Sequence, residues 1–222
     1  LRQQIANVSH DLRTPLTSIL GYLQLLESGE LSEEERKQYL AVVKGRARTL
    51  QELIAAFYDL SRIEGGEYPL EREQVDLYRV LSELAAEFYG DFQQSGMAVD
   101  VDLARDLPPV WGDSGAVLRI LTNLVGNALK HGSNFLTIRL YRDGDHLVTS
   151  FSNDGSGLTQ EDVAHIFDRF YTADKTRSGQ NTGLGMSIVR ALARQMGHEA
   201  SAELRDGVFT ARVLWKLSES QQ

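Results

Sequence analysis

The chain has no cysteine, only four prolines and two tryptophans, and no long apolar run. Missing thiols exclude disulfides and thiolate metal sites, and are compatible with a reducing compartment without requiring one. Without a run of about 20 apolar residues, nothing in these residues spans a membrane. The polar, amphipathic start is not what is expected of a secretory signal peptide. Positive charge is also in short supply. Against 31 Asp and Glu stand 23 Lys and Arg, a formal charge of −8, which disfavours nucleic acid as the main ligand. What remains, 42% hydrophobic and 24% charged over 222 residues, fits a globular protein of one large or two small domains. Leu1 lies in a helical pattern where an initiator Met would stand, so the chain is expected to be part of something longer, with any membrane anchor in segments not present here.

Two segments differ in period. Over residues 1–63 the apolar positions Ile5, Val8, Leu12, Leu16, Ile19, Leu23 and Leu26, then Leu40, Val43, Ala47, Leu50, Ile54 and Phe57, recur at steps of three and four. The break between them is "ESGELSEEE", in which Ser32 and Glu35 form a capping box. The pattern predicts two helices in an antiparallel hairpin. A lone hairpin buries a narrow seam poorly, whereas two hairpins packed as a four-helix bundle bury it well, so a homodimer is expected. "EGGEYPLE" then breaks the pattern. The expected organisation is a hairpin domain at 1–66, a linker at 67–74 and a second domain at 75–222. In the latter "LYRVLSELAAEFYGDFQQSG", "GAVLRILTNLVGNALKHG" and about 184–196 read as helices. "MAVDVDL", "FLTIRLYRDGDHLVTSFS", turning at Asp143-Gly144, and "GVFTARVLWKL" read as strands. That is an α+β domain with helices on one face of a sheet.

The candidate chemistry lies in four places. "NVSHDLRTPLTSIL" puts a His-Asp pair on a helix that keeps Pro15 in its interior, at a cost of roughly 3 kcal/mol. "NDGSGL" follows a strand, and "NTGLGMSIVRALARQ" runs into a helix whose free N–H groups suit phosphate. No GxxxxGK[ST] occurs, which excludes a P-loop. In "LTNLVGNALKH", Asn123 and Asn127 share a helix face, with Lys130 a turn further on. Two solvent-facing asparagines would be the ordinary reading of that helix alone, but the Asn127 carbonyl suits Mg²⁺, which takes few protein ligands when phosphates supply the rest.

"SHDLRTPLTSILGY", "LTNLVGNALKH", "NDGSGL", "IFDRFYTADKTRSG" and "NTGLGMSIV" resemble, in order and spacing, the H, N, first-glycine, F and second-glycine boxes of bacterial sensor histidine kinases. The resemblance covers nearly the whole chain. It implies a dimerisation and histidine-phosphotransfer hairpin, followed by an ATP-binding sandwich of the Bergerat type. By the same resemblance His10 is the phosphoacceptor and Asp11 the acid that orients it. Asp11 and Thr14 match the acid-x-x-Thr phosphatase motif, Thr14 lying four residues after His10 on the same helix face. Asn127 matches the Mg²⁺ ligand, Asn123 its support, and Lys130 and the adjoining His131 lie toward the nucleotide. Asn153, Asp154, Gly155 and Gly157 match the first glycine box. Thr182, Gly183, Leu184 and Gly185 match the second. Residues 172–181 match the lid, with Lys175 and Arg177 as its cations, and Phe167 and Phe170 match the F box. The implied cofactors are ATP and Mg²⁺, and the implied partner is the receiver domain of a response regulator. The implied setting is the cytoplasmic portion of a membrane-anchored sensor.

Three departures stand out. Asn153, not Asp154, aligns with the adenine-binding aspartate. Asparagine can replace it, accepting from the adenine amino group and donating to N1. Asn181 replaces the first glycine of GxGLG, and Thr172 replaces the usual arginine. These motivate a second reading, a kinase-like scaffold that binds nucleotide poorly. A third, an ATPase of the gyrase, mismatch-repair and heat-shock chaperone group, is opposed by the H box and the hairpin. His146, His165 and His198 are expected at the surface, and Asp113 as a helix cap.

Overall fold

A computed structural model describes residues 2–29, 31–155, 157–173 and 183–217, with side chains in the first helix from residue 12 onward. Helices α1 (Arg2–Glu27) and α2 (Glu33–Glu64) form the hairpin, and α1 continues through Pro15. The capping box is present: the Ser32 hydroxyl accepts the Glu35 N–H at 3.3 Å, and the Glu35 carboxylate accepts the Ser32 N–H at 2.9 Å. Those bonds to Ser32 lower the Glu35 pKa. At the far end the Gly65 N–H returns to Ser61 O and Gly66 takes φ +71, turning the chain out of the helix.

The second domain runs β1 (Glu73–Val75), α3 (Leu77–Glu87), α4 (Tyr89–Ser95), β2 (Ala98–Leu103), β3 (Val110–Gly112), α5 (Ser114–His131), β4 (Phe135–Asp143), β5 (His146–Asp154), α6 (Gln160–His165), α7 (Gly185–Met196), β6 (Glu199–Arg205) and β7 (Val208–Lys216). Five strands make one sheet in the order β2-β4-β5-β7-β6, parallel only between β2 and β4, while β1 and β3 pair as a small ribbon. Strand alternation sends Leu136, Ile138 and Leu140, Leu147 and Phe151, and Phe209, Ala211, Val213 and Trp215 to one face. There they meet the apolar stripes of α5 and α7, including Ile120, Leu124, Ile188 and Leu192, in a single core. Trp215 satisfies its buried indole N–H on Thr149 Oγ1 at 3.0 Å. The sheet and the one-sided helical layer therefore stand as expected.

Four details differ from the sequence reading. The helix over "LYRVLSELAAEFYGDFQQSG" is two, α3 and α4, separated at Phe88. The β4–β5 turn is Gly144-Asp145, one residue later than expected, because Asp143 still pairs with His146. Strands β1, β3 and β6 and the short α6 were not anticipated. Helix α2 also has a second stripe, one residue out of step with the seam: Leu53, Leu60 and Ile63 are buried, and Leu60 and Ile63 join the core of the second domain. The expected seam is left open on the single chain. Of its members, Leu16, Leu23, Leu40, Ile54 and Phe57 are exposed.

His198 is a correction. It is 5% exposed, wedged at the end of the sheet with its ring 5.1 Å from that of Trp215. The Lys216 N–H donates to Nδ1 at 3.1 Å, so Nδ1 is the acceptor and Nε2–H donates to Trp111 O at 3.2 Å. The ring thus ties β3 to β7 in one neutral tautomer. Burial lowers its pKa, the Trp111 carbonyl pulls it up, and Arg72 and His146 push it down. A folded-state pKa below the ordinary 6.5 means that the unfolded chain binds the proton first. The stability contributed by this group is complete above pH 6.5 and is lost as pH falls below it. Denaturant titrations from pH about 7.5 to about 5.5 should show that loss in the wild type. His198→Gln, less stable at neutral pH, should show a shallower slope; equal slopes would assign the acid sensitivity to other groups.

Candidate nucleotide and phosphoacceptor sites

Helix α5 is the spine of the site. Asp113 caps it, as expected: Oδ1 accepts the Ala116 N–H at 2.7 Å and Oδ2 accepts the Glu71 N–H at 2.7 Å. Two turns later Asn123 turns its Nδ2 back to Arg119 O at 2.8 Å. Its Oδ1 faces the first turn of α7, where a Cβ on Gly185 would lie only 3.0 Å away. The N box and the second glycine box, 62 residues apart in chain order (185 − 123), are joined at that contact. Asn127 is half-buried one turn further on and makes no side-chain hydrogen bond among the described residues, leaving its carbonyl available. Among those residues no group of three or more His, Asp or Glu can hold a metal, so a metal here would rest on Asn127 and on phosphate oxygens. Lys130 is exposed; partial desolvation lowers its pKa while Glu52, on α2, pulls it back up. His131 ends the helix, exposed.

At the other end of α5, a Cβ on Gly132 would stand 3.2 Å from Asn153 Cβ. Asn153 is 2% exposed and pairs with Leu136 and Phe209 across the sheet. It therefore lies on the face that carries α5. Asp154 is differently engaged. Its Oδ1 accepts the N–H groups of Ser133 and Asn134, each at 2.9 Å, and Asn134 Nδ2 reaches Oδ2 at 3.3 Å. Burial works against its charge, but the bonds from Asn134, Ser133 and Phe135 outweigh it and bring the pKa down to about 2. Asp154 secures the turn into β4, and Asn153 is the residue turned toward the helices. Gly155 donates to Gly207 O at 2.8 Å, and Gly157 takes φ +85 in the turn that follows.

Phe170 and Gly183, which flank the segment expected to be a lid, meet at a neck. The Phe170 N–H donates to Gly183 O at 3.0 Å. Gly183 has φ +63, and a Cβ there would come within 2.8 Å of the Phe170 Cα, so only glycine fits. Phe167 and Phe170 are buried, and Tyr171 OH donates to Asp162 at 2.6 Å. That bond and burial raise the Tyr171 pKa to about 12. Leu184 is buried ahead of α7 as its N-cap residue. Lys175, Arg177, Asn181 and Thr182 lie outside the described residues, as do the side chains of His10 and Asp11 on α1. Thr14 is described and exposed on the same helix.

Sequence reasoning missed the contacts between α2 and this domain. Arg119 pairs with Asp59 at 2.8 Å, Arg169 pairs with Glu64, and the Phe57 and Phe170 rings lie 6.2 Å apart. The available signal was the second stripe at residues 53, 56, 60 and 63, flanked by Asp59 and Glu64.

Two family models match the chain: "His Kinase A (phospho-acceptor) domain" over residues 1–66, and "Histidine kinase-, DNA gyrase B-, and HSP90-like ATPase" over residues 112–219. Sensor protein VanS of Enterococcus faecium is 31% identical over 211 residues, covering 93% of this chain and 54% of VanS. The chain thus spans about half the length of that relative. Full-length ShkA, solved in complex with AMPPNP, is 26% identical at a TM-score of 0.68, covering 97% of this chain and 46% of ShkA. Histidine kinase ThkA, solved in complex with response regulator protein TrrA, matches the fold at a TM-score of 0.79 and 19% identity, over 99% of this chain and 63% of the matched one. With a phospho-acceptor hairpin leading into the ATPase sheet, the chain belongs to the sensor histidine kinases of two-component signalling.

Proposed function

We propose that this core autophosphorylates on His10 and passes the phosphoryl group to an aspartate of a response regulator. The observation that carries the reading is the junction of Asn123 with Gly185, which assembles the N box and the second glycine box downstream of a phospho-acceptor helix. ATP with Mg²⁺ supplies the transferable γ-phosphoryl group and the neutralising charge. Asn153 binds the adenine edge, Asn127 would hold the metal, and Lys130 with the N-terminal turn of α7 holds the phosphates. Lys175 and Arg177 add lid cations, and Thr182 and Leu184 shape the loop. Asp11 accepts Nδ1–H of His10, so that Nε2 keeps the lone pair that attacks phosphorus. ShkA, similar at 26% identity, was solved with AMPPNP, which supports nucleotide use. The open seam on α1 and α2 supports a homodimer through a four-helix bundle. The core would work on the cytoplasmic side, where ATP and receivers are found, and any membrane attachment would come through other segments. No described helix is long and apolar enough to cross a membrane.

The test is a phosphorylation assay. With labelled ATP and Mg²⁺ the protein should gain acid-labile, alkali-stable label, and a panel of receiver domains should accept it. No label in the presence of nucleotide binding would favour the scaffold reading. The same assay serves for Thr14, whose hydroxyl we assign to orienting water for in-line attack on phosphoaspartate. Thr14→Ala should keep autophosphorylation within a few-fold yet lose most regulator dephosphorylation in the presence of ADP. Equal decay with both proteins would remove Thr14 from that step.

A further inference from the structure

The two amide atoms of Asn153 are not equally engaged. The residue is buried on the face of β5 that carries α5, with Gly132 close beside its Cβ. Its Nδ2 donates to the backbone carbonyl of the next residue, Asp154, at 3.0 Å. That bond assigns the orientation of the amide. The nitrogen is held by the backbone, and Oδ1 makes no hydrogen bond among the described residues. Oδ1 is therefore the atom of this side chain left to meet a ligand. An oxygen there accepts from an amine such as the one at C6 of adenine. Because the side chain is an amide and not a carboxylate, this is only one of the two edges it can offer.

We propose that Asn153 sets the base specificity of the site and sets it loosely, so that nucleotides of the 6-oxopurines, hypoxanthine and guanine, bind as well as ATP. The proposal rests on the reading of Asn153 as the residue that meets the adenine edge. Adenine presents an amine donor at C6 and an acceptor at N1, whereas a 6-oxopurine presents an acceptor at C6 and a donor at N1. An amide carries an acceptor and a donor on one fork, and a half-turn about its last torsion exchanges them. As observed, Oδ1 faces the 6-amine of adenine. Turned over, Nδ2 donates to the 6-oxygen and Oδ1 accepts the N1–H. The half-turn gives up the bond from Nδ2 to Asp154 O. A single neutral hydrogen bond of that kind is worth a factor of roughly two to ten. A carboxylate at this position has no second orientation. Ionised, it only accepts, so a 6-oxygen leaves it buried against like charge. A site left with such an unpaired polar group rejects the wrong partner by up to about 10⁴-fold.

The test is displacement of a fluorescent ATP analogue, with Mg²⁺, by ATP, inosine triphosphate and GTP. Inosine triphosphate differs from ATP only at C6 and N1 and lacks the 2-amino group of GTP, so it isolates the reading of that edge. In the wild type its Kd should lie within about tenfold of that for ATP. In Asn153→Asp the ratio of the two Kd values should rise at least about tenfold further. A merely structural loss would weaken all three nucleotides alike and leave that ratio where it was. Inosine triphosphate excluded by more than about a hundredfold, from a wild type that binds ATP, overturns the proposal. So does a ratio that Asn153→Asp leaves unchanged, and the wild-type comparison decides alone if the variant does not fold. Exclusion of GTP alone overturns the guanine half and upholds the hypoxanthine half. A wild type that binds none of the three overturns the assignment of the site to nucleotide, which lies beneath the proposal.

Discussion

His10→Gln should gain no label from ATP while keeping its fold and its nucleotide affinity. Glutamine is a good helix former, so α1 should persist. The amide nitrogen, however, has its lone pair delocalised into the carbonyl and cannot attack phosphorus. Loss of the nucleophile leaves only positioning and charge stabilisation, which have nothing to act on, so labelling should fall at least on the order of a hundredfold. Because His10 lies on α1 and the candidate nucleotide ligands lie beyond residue 120, a calorimetric titration of the variant with Mg²⁺ and an ATP analogue should match that of the wild type. Label that persisted in His10→Gln, at the same acid lability, would move the acceptor to another nitrogen.

The parts of the fold legible in the sequence are those with long, regular periods. Helices α1, α2, α5 and α7 carry apolar stripes over three or more turns, β4 alternates over its first six residues, and β5 is nine residues long and buried along most of its length. Elements of three residues, such as β1 and β3, carry too little pattern to be seen. Strand β6, "EASAELR", has alternation without bulk: alanine buries little and favours helix, so its pairing with β7 comes from tertiary context. The second stripe of α2 escaped because one seam already explained the helix. Only the partner surface, with Arg119 and Arg169 in place, distinguishes a carboxylate that holds a domain from one that solvates a face.

Histidine 198 failed for a related reason. A turn position after Gly197 reads as exposed, and nothing local reveals that β3 and β7 close over the ring and provide a carbonyl and an N–H at the right distances. The choice between Asn153 and Asp154 sits between the two cases. Motif alignment selects Asn153, and the pleat separates its surroundings from those of Asp154. Residues one apart on a strand face opposite sides, and Asn153 shares its side with Phe151 and α5 while Asp154 is engaged by the turn at 133–135.

The nucleotide site therefore yields a graded expectation across three alanine variants. Asn127→Ala should remove Mg²⁺-dependent ATP binding. Its carbonyl is the one protein ligand assigned to the metal, and even outer-shell substitutions at metal sites typically cost 10–100-fold in affinity. The change deletes no side-chain hydrogen bond among the described residues and lies far from the hairpin seam, so stability and oligomeric state should be unaffected. Asn153→Ala should weaken adenine recognition by about 1–3 kcal/mol, the cost of leaving a buried polar partner unpaired, and should do so with or without Mg²⁺. Asp154→Ala should act elsewhere. It strips the acceptor from the Ser133 and Asn134 N–H groups, which should lower folding stability by about 1–3 kcal/mol while the folded protein keeps its adenine affinity. Titration with ATP and with adenosine, with and without Mg²⁺, beside a denaturant midpoint for each variant, separates the three. Should Asp154→Ala abolish adenosine binding at unchanged stability while Asn153→Ala does not, the roles of the two neighbours are reversed. The adenine edge would then be read from the opposite side of β5.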